Sequence, residues 1–138
     1  GGRDVNGTPR HLFELATSYK VMDLRPGPNV DLVGDICEMG LQAVADTVLC
    51  LEVLEHAQNW RDIVTACVKA LRPGGALIVT CAGPGRPEHS AVDGGPLHPG
   101  EWYGNVSCGD LSGAMMRAGL SAMCDREGHD TRGFGRLL

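Results

Sequence analysis

No two of the six cysteines stand in a CxxC pair, which argues against a metal site or a disulfide framework. Cys37, Cys50, Cys67, Cys81, Cys108 and Cys124 are widely spaced, and several lie inside apolar runs such as Val48-Leu49-Cys50-Leu51 and Leu77-Ile78-Val79-Thr80-Cys81. Buried free thiols are the plainer reading of that pattern. Apolar runs long enough to span a bilayer are also missing, as is a charged leader at the first residues, so the expected location is the reducing cytoplasm. Basic clusters are missing too: Arg61, Lys69, Arg72 and Arg117 are scattered through a chain of formal net charge -5. No sequence-wide attraction to a phosphate backbone follows, and neither a nucleic-acid nor a membrane partner is expected. What remains is 138 residues, enough for one domain over 1–138 with a hydrophobic core of its own.

The apolar pattern alternates between two periods. Thr8-Pro9 reads as an N-cap followed by proline at the first helical position, and Leu12, Leu15 and Ala16 extend an apolar stripe, predicting a helix over 9–17. Strands are expected at 19–24, 30–33, 46–51 and 76–81, the third buried on both faces because its apolar run is nearly continuous. Arg25-Pro26-Gly27-Pro28-Asn29 supports neither regular element and reads as a turn. Trp60, Ile63, Val64, Cys67, Val68 and Leu71 recur at helical spacing behind Asn59, a candidate N-cap, and Arg72-Pro73-Gly74-Gly75 should end that helix. Ser107 and Asp110 form a candidate capping box for a further helix with Leu111, Ala114, Met115 and Ala118 inward and Gly119 at its end. Strands alternating with helices imply an α/β fold with a mainly parallel sheet and helices on both faces.

In open sheets of this kind ligands bind beyond the carboxyl ends of the strands. Asp23 ends the first visible strand, Asp35 follows the second, and Glu52, Glu55 and His56 follow the third. Together with Gly1-Gly2-Arg3-Asp4-Val5-Asn6-Gly7, these residues resemble the order of motifs in class I S-adenosylmethionine-dependent methyltransferases. The segment from Asp46 to His56 resembles their fourth strand and its sequel, and Leu71-Arg72-Pro73-Gly74-Gly75 the turn into the fifth. The resemblance runs over roughly residues 1 to 81 and implies a Rossmann-like methyltransferase fold. Two departures stand out: the first loop lacks closely alternating glycines, and the strand that precedes it in the family, its first, is absent from the sequence, so a domain with an incomplete N-terminal side is expected.

The resemblance implies S-adenosylmethionine as cofactor, with Gly2, Asp4, Asn6 and Gly7 around its methionine end, Asp23 on the ribose hydroxyls, Leu24 and Arg25 beside the adenosine, Asp35 at the adenine and Glu52 near the sulfonium. Glycines permit close backbone approach, and the amides entering the Thr8 helix suit a carboxylate. Read from the residues alone, the first loop is equally a tight turn before a capped helix, Asp4 a solvated acid, Asp35 a turn cap and Trp60 a core residue. Residues 82–106 form a long connection rich in glycine and proline and supplied with reactive side chains, which reads as an acceptor-side loop. His89 is the candidate proton acceptor, with His56 second, and His89, Asp93, Trp102 and Tyr103 are candidate acceptor contacts.

Displacement at an electrophilic methyl carbon needs a positioned nucleophile and no metal, so none is expected. The expected activity is methyl transfer to an unidentified acceptor, preferentially a small molecule. A noncatalytic methyltransferase-like scaffold and a dinucleotide-binding oxidoreductase are the alternatives; the loop lacks the GxGxxG spacing of the latter.

Overall fold

The computed structural model describes residues 7–138. A two-stranded parallel pair comes first, β1 (Met22–Asp23) beside β2 (Leu32–Val33). The main sheet contains β3 (Ala45–Leu51), β4 (Leu71–Ala82), β5 (Leu120–Glu127) and β6 (Asp130–Leu137) in the order β3-β4-β6-β5. Helices α1 (Trp60–Ala70) and α2 (Cys108–Arg117) supply the crossovers.

The sheet is mixed rather than mainly parallel. β3 and β4 run parallel, whereas β6 is antiparallel to both of its neighbours. The reason is local: β5 and β6 are joined through Gly128 and His129 only, and a two-residue connection can make nothing but an antiparallel hairpin. Gly128 takes φ 58, the left-handed backbone that such a turn demands.

Nor do the helices lie on both faces. Among the described residues α1 and α2 touch each other and pack on one face, where Val64, Cys67 and Val68 of α1 join Leu111, Ala114 and Met115 of α2 over Leu77, Val79 and Cys81. α2 sits close because β6 offers it glycines: a Cβ on Gly133 would lie 3.0 Å from both Leu111 Cδ2 and Met115 Sδ, and one on Gly135 3.0 Å from Met115 Cε. The opposite face carries Ile78, half-buried, with Phe134 and Met123 exposed.

Several local expectations change at this level. The helix over 9–17 shortens to a 3-10 stretch, Pro9–Phe13, capped by Thr8, whose side chain accepts from Arg10 N, and Leu12 and Leu15 are exposed. A helix this short relies on packing for its stability, and the stretch buries none of its residues. β3 buries only Cys50 fully, so its apolar run does not mark a strand covered on both sides. Asn59 precedes α1 without a side-chain capping bond. α1 ends one residue before Leu71, and Leu71 already pairs with Ala45; the proline and glycines therefore lie within β4, whose pairing with β3 shifts register between Ala45 and Thr47. Half of the expected capping box at α2 forms: Ser107 Oγ accepts from Asp110 N at 3.1 Å, whereas the Asp110 carboxylate accepts from the Ser107 hydroxyl at 2.5 Å and not from the Ser107 backbone N–H. Gly119, at φ 104, follows its end. No helix among the described residues is long and apolar enough to cross a membrane.

Candidate functional site

The carboxyl ends of β3 and β4 are held together by Thr80. Its carbonyl accepts from Glu52 N at 2.8 Å, and its hydroxyl donates to Glu52 Oε1 at 2.8 Å. Glu52 itself has φ 51, a left-handed backbone that costs a non-glycine residue on the order of 1 kcal/mol. The chain leaves β3 through this strained residue into a short 3-10 turn, Leu54–His56, which carries Glu55 and His56 inward. Glu55 is fully buried; its Oε1 accepts from Ala82 N at 3.2 Å, while Oε2 has no hydrogen-bond partner. Burial, with the charge of Glu52 adding to it, pushes the Glu55 carboxyl up to about 7.

The connection after β4 is sewn to this end of the sheet. Gly104 N donates to the Glu55 carbonyl at 2.8 Å, Val106 N to Ala82 O at 2.8 Å, and the buried hydroxyl of Thr131 to Val106 O at 2.7 Å. Gly83 has to be small, since a Cβ there would lie 2.6 Å from Thr131 Oγ1. The returning backbone thus sets Tyr103 against the 3-10 turn. His56, His89 and Tyr103 form a three-ring cluster with centroids 5.0 to 5.6 Å apart, each pair edge to face. The Nδ1 of His56 and the hydroxyl of Tyr103 are buried without hydrogen-bond partners. Desolvation, then the neighbouring His89, lowers the His56 pKa, and burial raises the Tyr103 phenol to about 12. One ligand atom each from Glu55, His56 and His89 lie within 4.8 Å of one another.

The middle of the connection is organised by Glu101. Its carboxylate accepts from Ser90 Oγ at 3.0 Å, Ala91 N at 3.1 Å and His98 N at 2.8 Å, and those bonds hold its pKa below the usual carboxylate range. Asp93 accepts from Gly95 N at 2.9 Å and pairs with His98 Nε2 at 3.0 Å, facing its own loop. Trp102 packs partly buried against the core.

On the other side, Asp23 lies at the carboxyl end of β1, with Oδ1 accepting from Arg25 N at 3.0 Å. Leu24 and Arg25 are exposed beside it. Asp35 caps a turn, its Oδ1 accepting from Cys37 N at 2.8 Å. Gly7 is exposed at φ 95; Gly2, Asp4 and Asn6 lie outside the described residues. The structure therefore gathers Glu52, His56, His89 and Tyr103 around the ends of β3 and β4. Glu55 and Thr80, which complete that gathering, carry no motif of their own; the signal for Glu55 is its place three residues after Glu52 and next to His56.

The mixed sheet, with acidic residues at the ends of its parallel strands, is a Rossmann-like arrangement shared with solved methyltransferases. Residues 12–79 match the model of the family described as Methyltransferase domain. The chain has the class I S-adenosylmethionine-dependent methyltransferase fold, and the family match covers just under half of its length. It is 40% identical over 80 residues to the ubiquinone biosynthesis O-methyltransferase of Erwinia tasmaniensis, a stretch that covers 56% of this chain and 30% of that one. The chain thus spans about a third of the length of the curated relatives it matches. Among solved structures it is similar to 1,6-didemethyltoxoflavin-N1-methyltransferase of Burkholderia thailandensis, crystallised with 1,6-didemethyltoxoflavin and S-adenosylhomocysteine, at a TM-score of 0.69 and 15% identity over 99% of this chain and 68% of that one. A DhpI–SAH complex gives a TM-score of 0.72 and 16% identity over 99% and 74%.

Proposed function

We propose that the chain transfers a methyl group from S-adenosylmethionine to a small-molecule acceptor. The observation that carries this reading is the joint one: 40% identity over 80 residues with an O-methyltransferase, and a shared fold with an S-adenosylhomocysteine-bound methyltransferase across 99% of the chain.

The residues at the strand ends fit the cofactor. The Asp23 carboxylate is steadied by Arg25 N and suits two ribose hydroxyls, which a charged acceptor binds strongly. Asp35 is assigned to the adenine side, Leu24 and Arg25 to its flanks, and Glu52, fixed by Thr80, to the border of the methionine pocket. Gly2, Asp4, Asn6 and Gly7 are assigned to the methionine end by the family resemblance. When bound, the cofactor supplies a sulfonium-activated methyl carbon. The chain's own work is then positioning: residues 82–106 are assigned to the acceptor, with Tyr103 and Trp102 as apolar walls and Asp93 at the loop's outer part. His89, in edge-to-face contact with His56, is assigned to accept the hydroxyl proton of an oxygen acceptor, with His56 the second candidate. Six free thiols fit a reducing cytoplasm as its location.

Incubation of the protein with S-adenosylmethionine and a pooled extract of small metabolites tests the reading. A product roughly 14 Da heavier than its precursor, formed with S-adenosylhomocysteine in equal amount, is expected from the replacement of one hydrogen by methyl. Release of S-adenosylhomocysteine with no methylated product, or no reaction at all, counts against it.

A further inference from the structure

We propose that Glu101 is a positioning residue of the reaction: from the returning half of the connection after β4 it clasps the outgoing half and so sets His89 against Tyr103. Its weight on turnover rests on the methyl-transfer reading, in which His89 takes the acceptor's proton. Residues 88–92 run outward and 98–103 come back, and each stretch carries one ring of the cluster at the site. The return is fastened independently, by Gly104 N on the Glu55 carbonyl and Val106 N on Ala82 O. For the outgoing stretch the fastening is Glu101. Among the described residues, both hydrogen bonds that join 88–92 to 98–103 end on its Oε1, which accepts from Ser90 Oγ at 3.0 Å and from Ala91 N at 3.1 Å.

Both ends of the clasp are themselves held. Glu101 Oε2 accepts from His98 N at 2.8 Å and Glu101 N donates to His98 O at 3.1 Å, so one residue closes the 98–101 turn with its backbone and its side chain. At the other end Ser90 is buried, its hydroxyl accepts from Val92 N at 3.0 Å, and its backbone bonds to Gly94 and Gly95. His89 is the residue directly before this knot. Its ring stands edge to face with Tyr103 at 5.0 Å and with His56 at 5.1 Å. Its Nδ1 lies 3.1 Å from the Pro87 carbonyl, which can only accept, so Nδ1 carries the proton and Nε2 offers its lone pair.

The clasp depends on the carboxylate's charge. Donors from Ser90, Ala91 and His98 converge on a group that, when ionised, accepts on both oxygens and donates nothing. Those bonds, the one from His98 N foremost, hold its pKa below the usual carboxylate range, so near neutral pH Glu101 stays an acceptor and takes no part in proton transfer. Glu101→Gln keeps the length and one oxygen, but its NH2 group has to face either the His98 N–H or the Ser90 and Ala91 donors, and one side of the clasp opens.

Glu101 lies half-buried in a connecting segment, so the variant tests the clasp without opening the core. In wild-type protein, nuclear Overhauser contacts between the ring protons of His89 and Tyr103 are expected; Glu101→Gln should lose them, and Ser90→Ala, which removes one of the two bonds, should weaken them. With S-adenosylmethionine and the pooled small-metabolite extract, Glu101→Gln should slow S-adenosylhomocysteine formation about tenfold, the lower end of what a proton acceptor contributes, while S-adenosylhomocysteine affinity by calorimetry stays unchanged. Because Glu101 acts through His89, the same change made in His89→Ala should slow the reaction no further. Retained ring contacts in Glu101→Gln, or an equal further loss of rate on top of His89→Ala, overturns the positioning role. The ring contacts are read without turnover, so their failure is distinct from a failure of methyl transfer, which its own product assay judges.

Discussion

The contact between α2 and the glycines of β6 can be tested by a double-mutant cycle. Leu111 is fully buried, and its Cδ2 lies 3.0 Å from where a Cβ on Gly133 would stand. Leu111→Ala removes side-chain volume from a well-packed core and should cost roughly 2–5 kcal/mol. Gly133→Ala puts a methyl group against Leu111 Cδ2 and Met115 Sδ at 3.0 Å and Cys124 Sγ at 3.3 Å, and overpacking of this kind costs about 1–3 kcal/mol. Together the two changes should cost less than their sum, because the methyl enters space that Leu111 has vacated; the Met115 and Cys124 contacts persist, so relief is partial. A favourable coupling of roughly 0.5–2 kcal/mol is expected from urea denaturation of the four proteins. At roughly 4 °C per kcal/mol for a chain of this size, thermal midpoints should show the same ranking. Additivity within about 0.4 kcal/mol would refute the claim that α2 rests directly on Gly133.

Asp23→Ala should weaken S-adenosylhomocysteine binding by about 1.5–3 kcal/mol, about 10- to 150-fold, without unfolding, and Asp35→Asn should do less; calorimetry that reverses the order moves the ribose role away from Asp23. His89→Ala should lower single-turnover methyl transfer roughly tenfold to a thousandfold at saturating cofactor, whereas Trp102→Ala should raise the acceptor KM and, because the ring packs on the core, lower the Tm; unchanged values in both variants would reduce residues 82–106 to a surface excursion. The Glu101 carboxyl is held below its usual pKa, so its stabilising effect is complete above the ordinary carboxylate range and is lost as pH falls through the depressed value. Limited proteolysis within 83–106 should therefore accelerate on acidification in the native protein, and Glu101→Gln should flatten that dependence; parallel profiles would dissociate Glu101 from loop order.

The parts legible in the sequence were those with local causes. The Ser107 N-cap, the apolar face of α1 and the Pro/Gly turn at 25–29 each follow from neighbouring residues, and each is present. The sheet's mixed sense was hidden in 120–138, where Leu120, Ala122 and Cys124 alternate with exposed Ser121, Met123 and Asp125 ahead of a glycine-bearing turn; the alternation is diluted by short side chains. At the site, His56, His89 and Tyr103 were visible as reactive residues, but their meeting depends on Gly104 bonding to the Glu55 carbonyl, a backbone contact that leaves no side-chain signature. Glu55 shows why composition alone misleads: a glutamate after a strand is ordinarily solvated, and only the returning chain buries this one.

Calorimetric titration of the protein with S-adenosylhomocysteine, with NAD as the control ligand, tests the central claim most directly. One S-adenosylhomocysteine site per chain, weakened by Asp23→Ala and indifferent to NAD, is the predicted result. Saturable binding of NAD, or no binding of S-adenosylhomocysteine by folded protein, would contradict the assignment of this fold to methyl transfer.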